Sequence, residues 1–231
     1  MTDLRSALRS VEPKPYLSDR VWNEEGLRPE IANALGRIAK KFLDELEIDL
    51  IVKDIILTGS YAGRTWGAGS DLDLHIIADM KKSGGLDVIA RATKLAKFKW
   101  EEEHDITIHG IPVEVYVEDI NEDPPKVTGR WSITRNDWLL EPPSGGSSFD
   151  ESKVLKKVMD FREVIQKARR TNEEGPIISA MKRITKLRKA GLERAGELSN
   201  ENLAYRVLRR TGELQEAWDL IHDLTDQDLS V

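Results

Sequence analysis

The chain has 231 residues, enough for one large domain or two small ones, and its 39% hydrophobic and 33% charged residues are typical of globular proteins. Cysteine is absent, which excludes disulfides, thiol catalysis and thiolate metal sites. No apolar run approaches the ~20 residues of a membrane helix. The first residues, MTDLRSALRSVEPKPY, lack the apolar core of a signal peptide. We therefore expect a cytoplasmic protein with no membrane contact.

The net charge of −6 is unevenly distributed along the chain. Residues 1–150 carry 19 basic and 27 acidic residues, and residues 151–212 carry 16 basic and 8 acidic residues. Residues 213–231 carry 6 acidic residues and no basic ones. The basic stretch predicts either a surface for a polyanion or merely solvated helix faces. The acidic end predicts a solvated helix face or, alternatively, a surface for a cationic acceptor.

The first part of the chain predicts alternating helices and strands. Residues 1–28 contain two prolines and no clear period, so we predict an extended N-terminal arm. Pro29 suits a first helical turn, and apolar residues at helical spacing follow it. The elements predicted after the arm are a helix to about Glu47, a strand at 54–58, a break at Gly59-Ser60, a short helix or loop at 61–69, a strand at 71–78 and a helix at about 86–103.

The second part predicts a hairpin, a linker and then helices. "DITIH" and "IPVEVYVED" flank Gly110 and are rich in β-branched residues, which favours a hairpin. A further strand pair is expected around Asn136-Asp137, and "PPSGGSS" at 142–148 is typical of a linker. Apolar residues three and four apart then predict helices at 149–170, 176–198 and 201–224. The predicted domains are the arm (1–28), an α+β catalytic domain (29–148) and a helical domain (149–231).

Two aspartates interrupt the apolar strand of "SDLDLHII". Side chains alternate between the faces of a strand, so Asp71 and Asp73 share one face, ~7 Å apart, while Leu72 and Leu74 share the other. Such a pair suits oxygen-preferring divalent cations such as Mg²⁺, and a second ion usually needs a further carboxylate.

The strand Val113–Glu118 offers that carboxylate. Its valines share one face, and Glu114, Tyr116 and Glu118 share the other. Glu114 is flanked by valines and is the predicted ligand, whereas Glu118 lies near the strand end and is expected to be solvated.

Gly59 and Ser60 predict a phosphate contact. Glycine lets the backbone turn sharply and approach a ligand. Amide groups at the start of a following helix can bind phosphate oxygens, and the Ser60 hydroxyl can donate one more hydrogen bond. Metal ions and phosphate donors would then converge on one triphosphate.

In chain order the motifs are an apolar strand, Gly59-Ser60, ten intervening residues, Asp71 and Asp73 on a second strand, and Glu114 on a later strand. This order resembles the DNA polymerase beta-like nucleotidyltransferase superfamily, over about residues 29–141. The resemblance implies a mixed β-sheet backed by helices, followed here by a C-terminal helical domain of the kind that closes the cleft in many members. It implies two Mg²⁺ ions, which Mn²⁺ can replace. Asp71 and Asp73 would hold both ions, Glu114 would hold the catalytic ion, and Gly59 and Ser60 would contact the phosphates of an NTP, with ATP as the first choice.

Several other residues near these motifs leave two interpretations open. Arg64 could neutralise a phosphate or be a solvated loop residue, and Trp66 is expected to pack under the loop rather than over a base. Ser70 is predicted to cap or steady the strand of Asp71 and is also a candidate for cofactor binding. His75 shares the face of Asp73 and is expected to be hydrogen-bonded scaffolding.

The sequence therefore predicts an enzyme that moves an NMP from an NTP to an acceptor hydroxyl with release of pyrophosphate. The basic helices of 151–212 favour RNA or another nucleic acid, or a nucleotide, as acceptor. The alternatives are a small antibiotic-like molecule, a protein side chain, or a non-catalytic nucleotide-binding module that kept the fold.

Overall fold

The computed structural model describes residues 4–122, 129–142 and 149–230, and these form two compact units. Residues 13–122 and 129–142 form the sheet unit, and residues 4–12 and 149–230 form the helical unit. The elements in chain order are α1 (Leu4–Ser10), β1 (Trp22–Asn23), β2 (Gly26–Leu27), α2 (Pro29–Glu45), β3 (Val52–Thr58), β4 (Leu72–Ala78), α3 (Leu86–Glu103), β5 (Thr107–Ile108), β6 (Ile111–Asp119), β7 (Arg130–Ser132), β8 (Asp137–Leu140), α4 (Glu151–Arg169), α5 (Glu174–Ala195), α6 (Asn200–Arg210) and α7 (Glu213–Leu229).

The sheet unit is built on a mixed six-stranded sheet with the order β5-β6-β4-β3-β7-β8. The central pair β4/β6 is parallel, and every other neighbouring pair is antiparallel. Helix α3 connects β4 to the β5/β6 hairpin, as a parallel pair requires a crossover. The predicted fold class, a mixed sheet backed by helices and followed by a helical part, is confirmed.

One face of the sheet carries the hydrophobic core of this unit. Alternate residues of β4, such as Leu72, Leu74 and Ile76, are completely buried. They belong to the same apolar cluster as residues four apart along α2, including Ile31 and Leu35. Burying a large aliphatic side chain contributes about 1.5–3 kcal/mol, so this layer fixes which residues of β4 face the opposite, polar side of the sheet.

The helical unit has its own core, formed by α1 and by α4 to α7. Residues 4–10 are a helix whose Ala7 and Leu8 are buried in that core, where the sequence predicted an extended arm. The predicted helix at 201–224 is two helices, because Gly212 adopts a left-handed φ of +86° and separates α6 from α7.

The predicted linker at 142–148 lies, apart from its first residue, outside the described residues. Among the residues that the structure describes, no helix is both long enough and apolar enough to cross a membrane.

Candidate active site

Asp71 and Asp73 lie at the start of β4, on its polar side. Asp71 immediately precedes the strand and Asp73 is its second residue. Both side chains are half-buried, whereas Leu72 and Leu74 are buried in the core on the opposite face. The alternation predicted from the sequence therefore holds for this strand, and it presents the carboxylates away from the core.

Glu114 lies beside Asp73. In the parallel pair of β4 and β6, Asp73 is directly opposite Glu114, with Leu72 opposite Val113. Burial raises the pKa of Glu114, and a hydrogen bond with Asp71 raises it further, against the smaller opposing effect of Tyr116. The structure thus brings all three predicted carboxylates together.

Two further side chains contact Glu114. The Tyr116 hydroxyl donates a hydrogen bond to Glu114 Oε2, and burial together with this carboxylate raises the pKa of Tyr116 well above its usual value. Lys97 Nζ of α3 lies 3.5 Å from the same Oε2 atom. The sequence reasoning missed both contacts, although Tyr116 shares the face of Glu114 in the alternation of β6.

Gly59 directly follows β3 and lies against Asp73. Its φ is +72°, in the left-handed region, and a Cβ placed there would lie 1.7 Å from Asp73 Oδ2. No other residue type has room at this position without displacing the carboxylate. Ser60 follows, and among the described residues its buried Oγ has no hydrogen-bond partner. A buried hydroxyl without a partner is costly, and a ligand oxygen at this position would satisfy it.

The segment after Ser60 differs from one prediction. Residues 59–64 form hydrogen-bonded turns, with the Gly63 amide donating to the Ser60 carbonyl at 3.2 Å, and no helix begins there. Gly59, Ser60 and Gly63 favour turns over a helix in this stretch. The predicted contribution of a helix N-terminus to phosphate binding is therefore wrong for this segment, and amide donors here belong to turns.

Arg64 and Ser70 make contacts that hold the loop. Arg64 Nη1 donates to the carbonyl of Pro15, and Ser70 Oγ accepts from the Gly67 amide at 3.1 Å. Ser70 thereby closes a turn immediately before Asp71, as a steadying role requires. A nucleotide-binding role for either residue stays a prediction.

Trp66 packs between two tyrosines. Its ring lies 6.0 Å from that of Tyr16 and 6.4 Å from that of Tyr61, and its Nε1 donates to the Tyr16 carbonyl at 3.2 Å. The expected packing role is thus confirmed.

Glu118 is not solvated, contrary to the expectation from its place near the strand end. Its carboxylate bonds His75 Nδ1 at 2.7 Å and Arg130 Nη2 at 2.9 Å, and its side chain is 11% exposed. Burial raises the pKa of Glu118, but the hydrogen bonds from His75 and Arg130 outweigh that effect and lower it overall. His75 is therefore hydrogen-bonded scaffolding, as predicted.

The donor set at Asp71, Asp73 and Glu114 fits a hard divalent cation. Carboxylate oxygens are the ligands that Mg²⁺ and Mn²⁺ prefer. Burial, and then the neighbouring Asp71, raise the pKa of Glu114, and a bound cation would offset both effects.

A second acidic group lies elsewhere in the sheet unit, where donor atoms of Glu45, Glu103 and His104 lie within 4.8 Å of one another. Glu45 and Glu103 there are solvent-exposed and also pair with lysines of their own helices.

The site combines a mixed sheet, a Gly-Ser turn and carboxylates at the neighbouring strands β4 and β6. This is the arrangement of a nucleotidyl-transferring catalytic domain. Residues 37–135 match the model of the nucleotidyltransferase domain family. This range contains the Gly-Ser turn, both aspartates and Glu114, so these residues form a nucleotidyltransferase domain of the DNA polymerase beta-like superfamily. The predictions of the family and of the enzyme class are confirmed. No curated protein sequence is a significant match to the chain.

Three solved structures are similar to the chain over most of its length. The STING-associated CdnE c-di-GMP synthase from Capnocytophaga granulosa is 12% identical, with a TM-score of 0.28 over 98% of this chain and 88% of that one. The CdnE cyclic dinucleotide synthase of Elizabethkingia meningoseptica, solved with GTP and Apcpp, is 11% identical, with a TM-score of 0.28 and complete coverage of both chains. The Rhodothermus marinus CdnE c-UMP-AMP synthase, with Apcpp and Upnpp, is 11% identical, with a TM-score of 0.23 over 92% and 83%. Similarity at this level carries no argument about substrates.

Proposed function

We propose that the protein transfers a nucleoside monophosphate from an NTP, with ATP as the first choice, to an acceptor hydroxyl of RNA or of a nucleotide, and releases pyrophosphate. The observation that carries this proposal is the register of the sheet. It places Glu114 opposite Asp73, and Asp73 in turn lies against Gly59. Three carboxylates and a glycine that leaves room for the Asp73 carboxylate then meet at one end of β4.

Asp71, Asp73 and Glu114 would hold the divalent ions, which supply charge neutralisation at the phosphates and polarise the acceptor hydroxyl. Ser60 Oγ donates to a phosphate oxygen, which satisfies a hydroxyl that lacks a partner among the described residues. In the transfer, the acceptor oxygen forms a bond to the α-phosphorus, and the bond from that phosphorus to the departing pyrophosphate breaks. Glu114, which lies opposite Asp73 at the proposed metal site, would help to activate the acceptor hydroxyl, whose proton is lost as the new bond forms.

The basic face of α5 supports a nucleic-acid acceptor. Lys182, Arg183, Lys186 and Lys189 are exposed on this helix. Arg188 is different, because its Nε donates to Asn202 Oδ1 at 3.0 Å and its guanidinium lies 4.4 Å from the ring centre of Tyr205. The contacts proposed for α5 are therefore its four exposed side chains at positions 182, 183, 186 and 189.

Release of labelled pyrophosphate tests the reaction. Each NTP is incubated with Mg²⁺ or Mn²⁺ and with pools of RNA, protein and aminoglycoside, and transfer of the α-phosphorus to an acceptor is followed in parallel. We expect turnover that Asp71→Asn and Asp73→Asn each reduce below a few per cent of the unchanged protein. Glu102→Gln, an exposed position on α3, is the matched control and should leave the rate unchanged. Retained turnover in either aspartate variant would refute the metal assignment.

Salt-dependent RNA binding tests the acceptor. Each phosphate neutralised on a single strand contributes about −0.7 to the slope of log affinity against log salt, so four contacts give about −3. The double change Lys186→Glu and Lys189→Glu should weaken RNA binding and flatten that slope by about 1.4. Lys40→Glu with Lys99→Glu makes the same change in net charge on the sheet unit and should alter the slope much less. If the unchanged protein shows no affinity for RNA at low salt, RNA is excluded and the acceptor is instead a nucleotide, a small molecule or a protein side chain.

A further inference from the structure

Lys97 is the one lysine of α3 whose charge lies against the candidate active site. Its side chain is 17% exposed, whereas Lys99 on the same helix is 75% exposed. A half-buried ammonium needs anionic or polar partners to offset its lost hydration. The groups around Lys97 therefore show which partners stabilise its charge.

Three groups surround the Lys97 ammonium. Nζ lies 2.9 Å from Glu101 Oε1, one helical turn away, and 3.5 Å from Glu114 Oε2. It also lies 3.3 Å from the ring centre of Tyr116, a cation–π contact, and the hydroxyl of the same tyrosine donates to Glu114 Oε2. Lys97 and Tyr116 thus meet at the carboxylate oxygen of the proposed third ligand.

We propose that Lys97 is a built-in counter-cation of Glu114, with which a divalent ion must compete for the carboxylate. The inference rests on the proposed function, because it concerns the ion held by Asp71, Asp73 and Glu114. Lys97 acts through Glu114 and is a positioning residue rather than a catalytic one. Its shorter contact, to Glu101, provides a second carboxylate that retains the ammonium when an ion occupies Glu114.

The size of the effect follows from Coulomb repulsion. An ammonium and a divalent ion that contact the same carboxylate would repel each other, even at the dielectric constant of water, by an energy equivalent to roughly a tenfold change in affinity. Removing the charge of Lys97 should therefore tighten metal binding about five- to tenfold. In the absence of metal the same change leaves the carboxylates less compensated and should lower the melting temperature.

The experiment measures Mn²⁺ binding to the full chain without nucleotide, by electron paramagnetic resonance of the free ion, together with melting curves with and without Mn²⁺. Lys97→Met should bind Mn²⁺ five- to tenfold more tightly than the unchanged protein and should melt at a lower temperature without metal. Added Mn²⁺ should raise the melting temperature of Lys97→Met by more than that of the unchanged protein. Lys97→Arg keeps the charge and Lys99→Met removes an exposed charge from the same helix. Both should remain within about twofold of the unchanged protein. Unchanged or weaker Mn²⁺ binding by Lys97→Met overturns the proposal.

A second variant keeps the test decisive if Lys97→Met does not fold. Glu101→Gln removes the nearer partner of Lys97 and directs its charge towards Glu114, so Mn²⁺ binding should weaken about threefold. Glu102→Gln, which removes the same charge from the neighbouring exposed position, should have a smaller effect, and equal effects of the two overturn the proposal. Loss of Mn²⁺ binding in Asp73→Asn shows that the ion occupies the proposed site. A chain that binds no Mn²⁺ at millimolar concentration would refute the proposed function itself, and the role of Lys97 with it.

Discussion

Replacing Glu118 by glutamine tests whether the polar face of the sheet depends on a buried ion pair. Glu118 and Arg130 have side chains that are 11% and 8% exposed, and their charged atoms are 2.9 Å apart. Removing one partner of a buried pair typically costs about 3–5 kcal/mol, because the other charge is left without compensation. Glutamine keeps the shape and one acceptor oxygen for Arg130, so we expect a loss of about 2–3 kcal/mol.

The assay is thermal unfolding at neutral pH followed by circular dichroism. For a chain of this length 1 kcal/mol corresponds to roughly 2–4 °C, so Glu118→Gln should melt about 5–10 °C below the unchanged protein. Glu102→Gln makes the same chemical change at an exposed position and should shift the melting temperature by no more than about 1 °C. If Glu118→Gln melts within about 1 °C of the unchanged protein, the buried pair contributes nothing to stability and the reasoning is refuted.

The pH dependence of this difference has a defined sign. Contacts with His75 and Arg130 outweigh burial and lower the pKa of Glu118 below its ordinary value of 4.5. The ionised carboxylate therefore stabilises the fold fully above about pH 4.5, and this contribution is lost as the pH falls through the folded-state pKa. The difference in melting temperature between the unchanged protein and Glu118→Gln should be largest at neutral pH and should decrease below pH 4.5. A gap that widened in acid would contradict the assigned contacts.

Two other substitutions test the site and the helical unit. Gly59→Ala should reduce NMP transfer by roughly a hundredfold or more and weaken Mn²⁺ binding, because the new Cβ would overlap the Asp73 carboxylate. Gly36→Ala, in α2, is the control, because its Cβ would meet no described atom within 4 Å outside its own helix. Asn202→Ala should destabilise the helical unit by about 1–3 kcal/mol in urea unfolding, because this buried residue bonds the Arg188 guanidinium and a backbone carbonyl. Unfolding of that variant at the same urea concentration as the unchanged protein would contradict this role.

The proximity of the candidate site residues could be predicted because they lie on strands. An alternation of apolar and polar residues with period two fixes which side chains share a face, and the core valines and leucines on the other face leave little freedom of register. That argument identified Asp73 and Glu114, and the structure pairs them directly.

The partners of Glu118 could not be predicted in the same way. Its position near the end of β6 is typical of an exposed residue, but Arg130 enters from β7, on the far side of β4 and β3 in the sheet. Lys97 was missed for a similar reason, because helical periodicity places it beside the buried stripe of α3 and says nothing of the strand it contacts. Such contacts depend on tertiary structure, which no local pattern encodes.

The N-terminal helix was a different kind of omission. Leu4, Ala7, Leu8 and Val11 recur at helical spacing, so the signal for α1 was present in the sequence. The nearby Pro13 and Pro15 favoured an extended arm over the whole segment, although prolines beyond the end of a helix are compatible with it.

The two glutamates of β6 differ in their surroundings, although both lie on the same face of the strand. Glu114 and Glu118 lie four residues apart on the same face, and burial raises the pKa of both. Contacts with His75 and Arg130 reverse the shift at Glu118, so its charge is satisfied within the sheet. At Glu114 the neighbouring Asp71 adds to the shift, and the contacts of Tyr116 and Lys97 do not reverse it. A bound cation would favour the ionised form of Glu114, which is why we propose Glu114 rather than Glu118 as the third metal ligand.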